Sequence, residues 1–122
     1  KGEAITVYGD GKQSRCFCHV NDTVRALMGL MDNKPENYGE VFNIGNVGEI
    51  SMLDLAKQVR EVTGSKSEIK MIPYSEAYEE GFEDMMRRVP DVSKIKGAIG
   101  WEPLIPLNKI LTDVVDFYRK QG

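Results

Sequence analysis

The sequence has 122 residues, of which 41% are hydrophobic and 29% charged, a balance typical of a globular domain with its own core. Its formal net charge of -3 argues against a general nucleic-acid binder, whose affinity depends on many phosphate contacts. No apolar run approaches the roughly 20 residues that a membrane span needs, and the first residues do not resemble a signal peptide. We therefore expect one domain over residues 1–122, with neither nucleic acid nor membrane as a partner.

The two cysteines, Cys16 and Cys18, stand two positions apart, which is a poor spacing for a disulfide within one strand. Two free thiols indicate a reducing compartment, so we expect a cytoplasmic protein. A metal site that includes His19 is disfavoured, because on a strand the two cysteines point to one face and the histidine to the other. We predict no metal ligand.

Short extended segments recur along the chain. Residues 4–8 predict a strand, and the Asp-Gly dipeptide that follows is the one that tight hairpins prefer, so a turn should lead into a second strand over residues 13–20. Two further strands are predicted over residues 40–44 and 68–73.

Apolar residues at helical spacing predict two helices in the first half of the chain. Asn21 or Asp22 caps the first helix, which runs to about residue 32. Ser51 caps the second, and Gly64 is suited to end it in a left-handed conformation. The apolar stripe of the first helix consists of Val24, Leu27, Met28 and Met31.

The second half predicts a short helix and a long final one. Asp91 or Ser93 opens the short helix, which ends at Ile99, whereas the acidic residues 75–87 read as a loop with at most one helical turn and as the least ordered internal segment. Short strands mixed with three to four helices indicate an α+β fold. The final helix should bury a stripe of Leu107, Ile110, Leu111, Val114, Val115 and Tyr118.

Three arginines are candidates for binding a phosphate. Arg15 follows the Asp-Gly turn, and Arg87 and Arg88 end the acidic segment, where Pro90 keeps the preceding residue extended. Taken alone, Arg15 is better explained as a solvent-facing arginine of a strand, and Arg87 and Arg88 as charges that balance the surrounding carboxylates. No nucleophile is credible, because His19 is the only histidine and nothing beside it forms a catalytic constellation.

Seven short motifs occur in a fixed order over nearly the whole chain. Together they resemble the extended short-chain dehydrogenase/reductases that act as nucleotide-sugar epimerases, 4,6-dehydratases and UDP-glucuronate decarboxylases. The motifs are Thr6-Val7-Tyr8-Gly9-Asp10-Gly11, Gln13-Ser14-Arg15-x-Phe17, Val20-x-Asp22, Phe42-Asn43-Ile44-Gly45, Ser51-x-x-x-Leu55-Ala56, Arg88-x-Pro90-Asp91 and Gly100-Trp101-x-Pro103.

The resemblance implies the small carboxy-terminal, substrate-binding domain of such an enzyme, with the Rossmann half absent. It implies that Arg15 and Arg88 hold the diphosphate of a UDP- or dTDP-sugar, and that Thr6 and Tyr8 flank the pyrimidine base. Arg87 is counted with the same site.

The family's dinucleotide fingerprint and its catalytic Tyr-x-x-x-Lys pair are both missing from these 122 residues. The resemblance therefore implies that the chain has no catalytic or cofactor-binding residue and is inactive alone. NAD would be bound by the missing half of a full-length enzyme, which would be an isomerase or lyase of carbohydrate metabolism and a homodimer. The alternatives are a stand-alone nucleotide-sugar-binding module and a structural interaction module.

Overall fold

The computed structural model describes residues 2–32, 34–77 and 85–122. These ranges hold short strands, five α-helices and a 3-10 helix (Pro35–Asn37), which confirms the α+β class and exceeds the expected three to four helices. The strands are β1 (Ile5–Tyr8), β2 (Ser14–Cys16), β3 (Glu49–Ser51) and β4 (Ile69–Ile72), and the helices are α1 (Val20–Met31), α2 (Met52–Thr63), α3 (Tyr74–Ala77), α4 (Ser93–Ile99) and α5 (Leu107–Gln121).

The chain divides into two compact units, each assembled from separate stretches of sequence. Unit 1 comprises Lys1–Arg15, Glu49–Arg88 and Leu111–Gly122, and unit 2 comprises Cys16–Gly48 and Val89–Ile110. Among the described residues, no helix combines the length and the apolar character needed to cross a membrane.

The predicted hairpin between residues 4–8 and residues 13–20 is wrong. Residues 9–11 do turn, with Gly9 and Gly11 both at positive φ, but β1 pairs in parallel with β4 and β2 pairs with β3. The turn's carbonyls serve α2 instead, since Gly11 and Gln13 accept hydrogen bonds from the backbone N–H groups of Leu53 (3.0 Å) and Met52 (2.9 Å). These bonds satisfy donors that a helix start leaves unpaired, which explains why the Asp-Gly turn does not close a hairpin.

Helix α2 follows its sequence signals closely. The Ser51 hydroxyl accepts a hydrogen bond from the Asp54 N–H at 3.1 Å, as expected of an N-cap, and Gly64 ends the helix with φ of 66°. Strand β4 also matches its prediction. The predicted loop begins with helix α3, and residues 78–84 lie outside the described residues, so the expectation about their order stays a prediction.

Unit 2 is built around a small core of Ala26, Ile95 and Trp101. The predicted strand over residues 40–44 is wrong in the described structure, because Phe42 and Ile44 pack against this core and the segment pairs with no described strand. A strand needs a neighbour to take its backbone hydrogen bonds, and sequence alternation alone cannot supply one.

Helix α1 begins two or three residues earlier than the predicted caps imply and has a different cap. His19 is the N-cap, and its Nδ1 accepts a hydrogen bond from the Asn21 N–H at 3.0 Å, so the prediction of Asn21 or Asp22 is wrong. Asp22 is instead buried and bound to other groups. The predicted second strand ends early at Cys16, because residues 17–19 lead into this helix start.

The final helix is present, but its apolar stripe is less buried than predicted. No side chain of α5 is fully buried, and Val114 and Tyr118 are 47% and 69% exposed. An apolar stripe is buried only where another apolar surface covers it, and no such surface covers these two side chains in the described chain. The remaining four members of the stripe are half-buried.

Candidate functional site

A cavity of about 310 Å³ lies within unit 1, and three of the residues predicted to bind substrate line it. Thr6 and Tyr8 come from β1, and Arg15 comes from β2. The sequence-based grouping of these three side chains therefore coincides with one concave surface. The complete lining consists of Ile5, Thr6, Val7, Tyr8, Gln13, Arg15, Met52, Leu55, Ala56 and Val59.

The lining of the cavity combines an apolar wall with several polar residues. The apolar wall comes from α2, where Met52, Leu55, Ala56 and Val59 recur at intervals of three and four residues and so fall on one helix face. Such a wall suits a flat ring, and a cationic group beside it suits an anion.

Arg15 supplies that cationic group. It lies in β2 and is half-buried, and its Nη1 donates a hydrogen bond to the Ser14 carbonyl at 2.7 Å. A guanidinium has five N–H donors in a planar fork, a geometry that matches the oxygens of a phosphate.

Gln13 is a cavity residue that the sequence-based prediction missed. Its side chain is 4% exposed, and its Nε2 donates a hydrogen bond to the Tyr8 carbonyl at 3.0 Å. Its Oε1 is buried and has no hydrogen-bond partner among the described residues. The usable signal was the period of two along a strand, which puts Gln13 on the same face as Arg15.

The backbone brings Arg88 next to Arg15. Ser14 and Arg87 form an isolated parallel bridge, and the Ser14 N–H donates to the Met86 carbonyl at 2.7 Å. Arg15 and Arg88 are the next residue on each side of that bridge. Arg88 lies outside the set of lining residues, and its Nη2 donates to the Met85 sulfur at 3.4 Å.

Arg87 has its side chain bound to a carboxylate. Its Nε and Nη2 donate to the two oxygens of Glu49 at 2.6 and 3.1 Å, and the Ser14 hydroxyl donates to the same carboxylate at 3.1 Å. The hydrogen bond from Arg87, followed by that from Ser14, holds the pKa of Glu49 below its ordinary value. The Arg87 side chain is thus held by Glu49, and Arg87, like Arg88, is not among the residues that line the cavity.

Unit 2 contains a buried carboxylate of a different kind. Asp22 is 2% exposed, and its Oδ2 accepts hydrogen bonds from the backbone N–H groups of Leu104 (3.1 Å) and Ile105 (2.9 Å). Its Oδ1 accepts from Arg25 at 3.1 Å, and its backbone carbonyl accepts from the Trp101 indole at 2.9 Å. Burial raises the pKa of Asp22, but the hydrogen bonds from Ile105, Arg25 and Leu104 outweigh burial and lower it overall.

The described residues contain no group of three His, Cys, Asp or Glu side chains arranged to hold a metal ion. The polar groups around the cavity are hydrogen-bond donors and acceptors together with one guanidinium. Their arrangement can bind and orient an anionic ligand that carries a ring.

Sequence comparison gives relatives that are enzymes of nucleotide-sugar metabolism. The chain is 37% identical over 120 residues to a UDP-N-acetyl-alpha-D-glucosaminuronate decarboxylase from Bacillus cytotoxicus, covering 98% of this chain and 37% of that protein. It is 42% identical over 119 residues to UDP-glucuronic acid decarboxylase 4 from Arabidopsis thaliana, covering 98% of this chain and 25% of that protein. The chain thus spans between a quarter and just over a third of the length of these relatives.

Solved structures give the same picture of the fold. The UDP-glucose 4-epimerase of Thermotoga maritima with UDP-glucose superposes with a TM-score of 0.84 at 32% identity, over 98% of this chain and 36% of that one. The dTDP-glucose 4,6-dehydratase of Bacillus anthracis in complex with NAD gives a TM-score of 0.80 at 26% identity, over 98% of this chain and 35% of that one.

These findings confirm the resemblance to extended short-chain dehydrogenase/reductases that the ordered motifs indicated. The sequence also matches the family described as GDP-mannose 4,6 dehydratase over residues 1–114. The chain therefore belongs to the GDP-mannose 4,6 dehydratase family.

Proposed function

We propose that this chain is the substrate-binding part of an NAD-dependent nucleotide-sugar epimerase, dehydratase or decarboxylase, and that its cavity binds a UDP- or dTDP-sugar. The observation that carries the proposal is that Thr6, Tyr8 and Arg15, chosen from sequence motifs, line one cavity. Relatives named for UDP-sugars, and a structural neighbour that holds UDP-glucose, support the same class of ligand.

In this proposal the pyrimidine ring packs against the apolar wall from α2, between Thr6 and Tyr8. Arg15 and Arg88 bind the diphosphate, since their backbones are adjacent across the bridge between Ser14 and Arg87. The weak thioether acceptor that Arg88 now contacts is easily exchanged for a phosphate oxygen, which is a much stronger acceptor for a guanidinium.

The chemical step belongs to another part of the enzyme. NAD and the catalytic tyrosine and lysine would be supplied by the Rossmann half, because residues 1–122 carry neither the dinucleotide fingerprint nor a suitably placed Tyr-x-x-x-Lys pair. The chain's own residues bind the nucleotide and fix the direction of the sugar. We further propose that the full-length enzyme is a cytoplasmic homodimer.

The decisive experiment measures nucleotide-sugar binding in the full-length enzyme by titration calorimetry. Arg15→Ala and Arg88→Ala should each weaken UDP-sugar binding about ten- to a hundredfold, because a charge-assisted bond to phosphate is worth about 1.5–3 kcal/mol. Lysine should rescue only partly, since it lacks the bidentate fork. Arg119→Ala is the control, because Arg119 is exposed on α5 and donates to the Thr63 carbonyl.

The isolated 122-residue chain provides the second arm. It should bind UDP- or dTDP-sugars with millimolar affinity at best and form no NADH in their presence. Sugar-dependent NADH formation by the pure chain would contradict the assignment of the chemistry to another half. Unchanged binding in both arginine variants of the full-length enzyme would remove the proposed site and leave a structural interaction module.

A further inference from the structure

We propose that Glu49 is a positioning residue, which fixes residues 86–88 against β2 and so places Arg88 beside Arg15. The inference rests on the proposed function, because it assigns a role in holding the same diphosphate. It identifies a residue that has no contact with the ligand and acts through Arg88.

The Glu49 carboxylate accepts hydrogen bonds from two side chains. Glu49 lies at the start of β3, which pairs with β2, and it is 35% exposed. Its two oxygens bind the Arg87 guanidinium in a bidentate arrangement at 2.6 and 3.1 Å, and Oε1 also accepts from the Ser14 hydroxyl. One carboxylate thus ties the segment around Arg87 to two neighbouring strands.

The bridge between Ser14 and Arg87 indicates the face on which each neighbouring side chain lies. Residues that are bridged across neighbouring strands share a face, and successive residues of an extended chain alternate. Ser14 and Arg87 are bridged and both contact Glu49, so they occupy one face. The cavity-lining Arg15 follows on the other face, and an extended continuation puts Arg88 on the face of Arg15.

Glu49 also balances positive charge near the bridge between Ser14 and Arg87. Three arginines stand within a few residues of one bridge, and their guanidinium groups repel one another. Glu49 offsets the charge of Arg87 and holds that side chain on the far face, which leaves Arg15 and Arg88 for the ligand. Without Glu49, only backbone contacts would hold residues 86–88 to β2, and the segment would lose more conformational freedom when the nucleotide binds.

The test is a double-mutant cycle in the full-length enzyme, with the Kd of UDP-glucose measured by calorimetry. Glu49→Gln should weaken binding about three- to fivefold, the range for an exposed but bidentate ion pair. In the Arg88→Ala background the same change should alter Kd less than about 1.5-fold, because residues that act through one another are not additive. In turnover assays KM should rise while kcat stays unchanged.

The matched control is Glu40→Gln. Glu40 is also a half-exposed glutamate in an ion pair, at 2.7 Å from Lys94, but it belongs to unit 2, whereas the residues of the proposed site belong to unit 1. It should leave Kd unchanged. The charge-swapped variant Glu49→Arg with Arg87→Glu rebuilds the pair and should recover most of the lost affinity.

Two results would overturn the inference. One is parent-like binding by Glu49→Gln, and the other is a loss that persists in full when Arg88 is already alanine. If Glu49→Gln does not fold, Arg87→Gln breaks the same pair from its other side and is judged by the same two criteria. The proposed function fails separately, when Arg15→Ala and Arg88→Ala both bind like the parent.

Discussion

The two units each bury a polar side chain, and they treat it in opposite ways. In unit 2 the Asp22 carboxylate is surrounded by donors, with both oxygens hydrogen-bonded to groups of its own unit. In unit 1 the Gln13 amide is almost as deeply buried, yet its Oε1 has no partner among the described residues and the side chain lines a cavity.

This difference indicates a structural role for Asp22 and a binding role for Gln13. A buried polar group with every bond made holds the fold together, whereas one with a bond left open at a cavity wall keeps an acceptor for something else. Asp22 fixes the backbone at Leu104 and Ile105, so its role is complete within unit 2. Gln13 stands beside Arg15, where the proposed ligand would supply the missing donor.

The largest effect is expected at Asp22. Asp22→Ala should lower the free energy of unfolding by about 3–5 kcal/mol, because it removes the buried acceptor of two backbone N–H groups and the charge partner of Arg25. Urea denaturation of the 122-residue chain measures the change. Asp116→Ala on the exposed face of α5 is the control and should stay within about 0.5 kcal/mol of the parent.

An Asp22→Ala variant as stable as that control would contradict the structural role of the carboxylate. The fully hydrogen-bonded carboxylate of Asp22 would then contribute no more to the free energy of unfolding than a surface carboxylate.

A second effect compares the packing of the units. Ile95 is fully buried in unit 2, and Ile95→Ala should cost about 2–5 kcal/mol of unfolding free energy. Leu111 of α5 is only half-buried in unit 1, so Leu111→Ala should cost roughly half as much. Thermal melts of both variants give the order, and a larger loss at Leu111 would mean that α5 is more deeply packed than described.

Some helices and strands could be predicted from the sequence, and others could not. Helix α2 and strand β4 were predictable because their signals are local, in the Ser51 cap, the Gly64 stop and a short segment that is apolar except for Lys70. The hairpin and the strand over residues 40–44 were mispredicted because strand pairing depends on distant partners that no local pattern names.

The candidate site divides in the same way. The ordered motifs group Thr6, Tyr8 and Arg15 in one site, and all three line one cavity in the structure. The ion pair of Arg87 could not be predicted, because it depends on a bridge to Ser14 and on Glu49, which lies 38 positions before Arg87. Two adjacent arginines look equivalent in sequence, and only the structure shows which of them pairs with a distant carboxylate.

The pH dependence of stability gives a smaller, directional test of Asp22. Its pKa is lowered in the folded chain, so its contribution is complete above the unfolded value of about 3.9 and is lost as the pH falls through the folded pKa. The difference in unfolding free energy between the parent and Asp22→Ala should therefore be constant from pH 7 to 5 and shrink below about pH 4. A difference that grows on acidification would reverse the sign of the pKa shift.

The smallest effect on the free energy of unfolding is expected at Gln13. Gln13→Leu removes the donor to the Tyr8 carbonyl, which destabilises the fold, and also removes the unpaired Oε1, which stabilises it. The two contributions are of similar size, so the unfolding free energy should change by less than about 1 kcal/mol. The affinity of the full-length enzyme for a UDP-sugar should nevertheless fall about fivefold or more, because the nucleotide loses an acceptor in the cavity wall. Stability and binding would then separate at Gln13, as they cannot at Asp22. If Gln13→Leu instead destabilises the chain by several kcal/mol and leaves binding intact, a bound water satisfies Oε1 in solution, and Gln13 is a second structural residue of the same kind as Asp22.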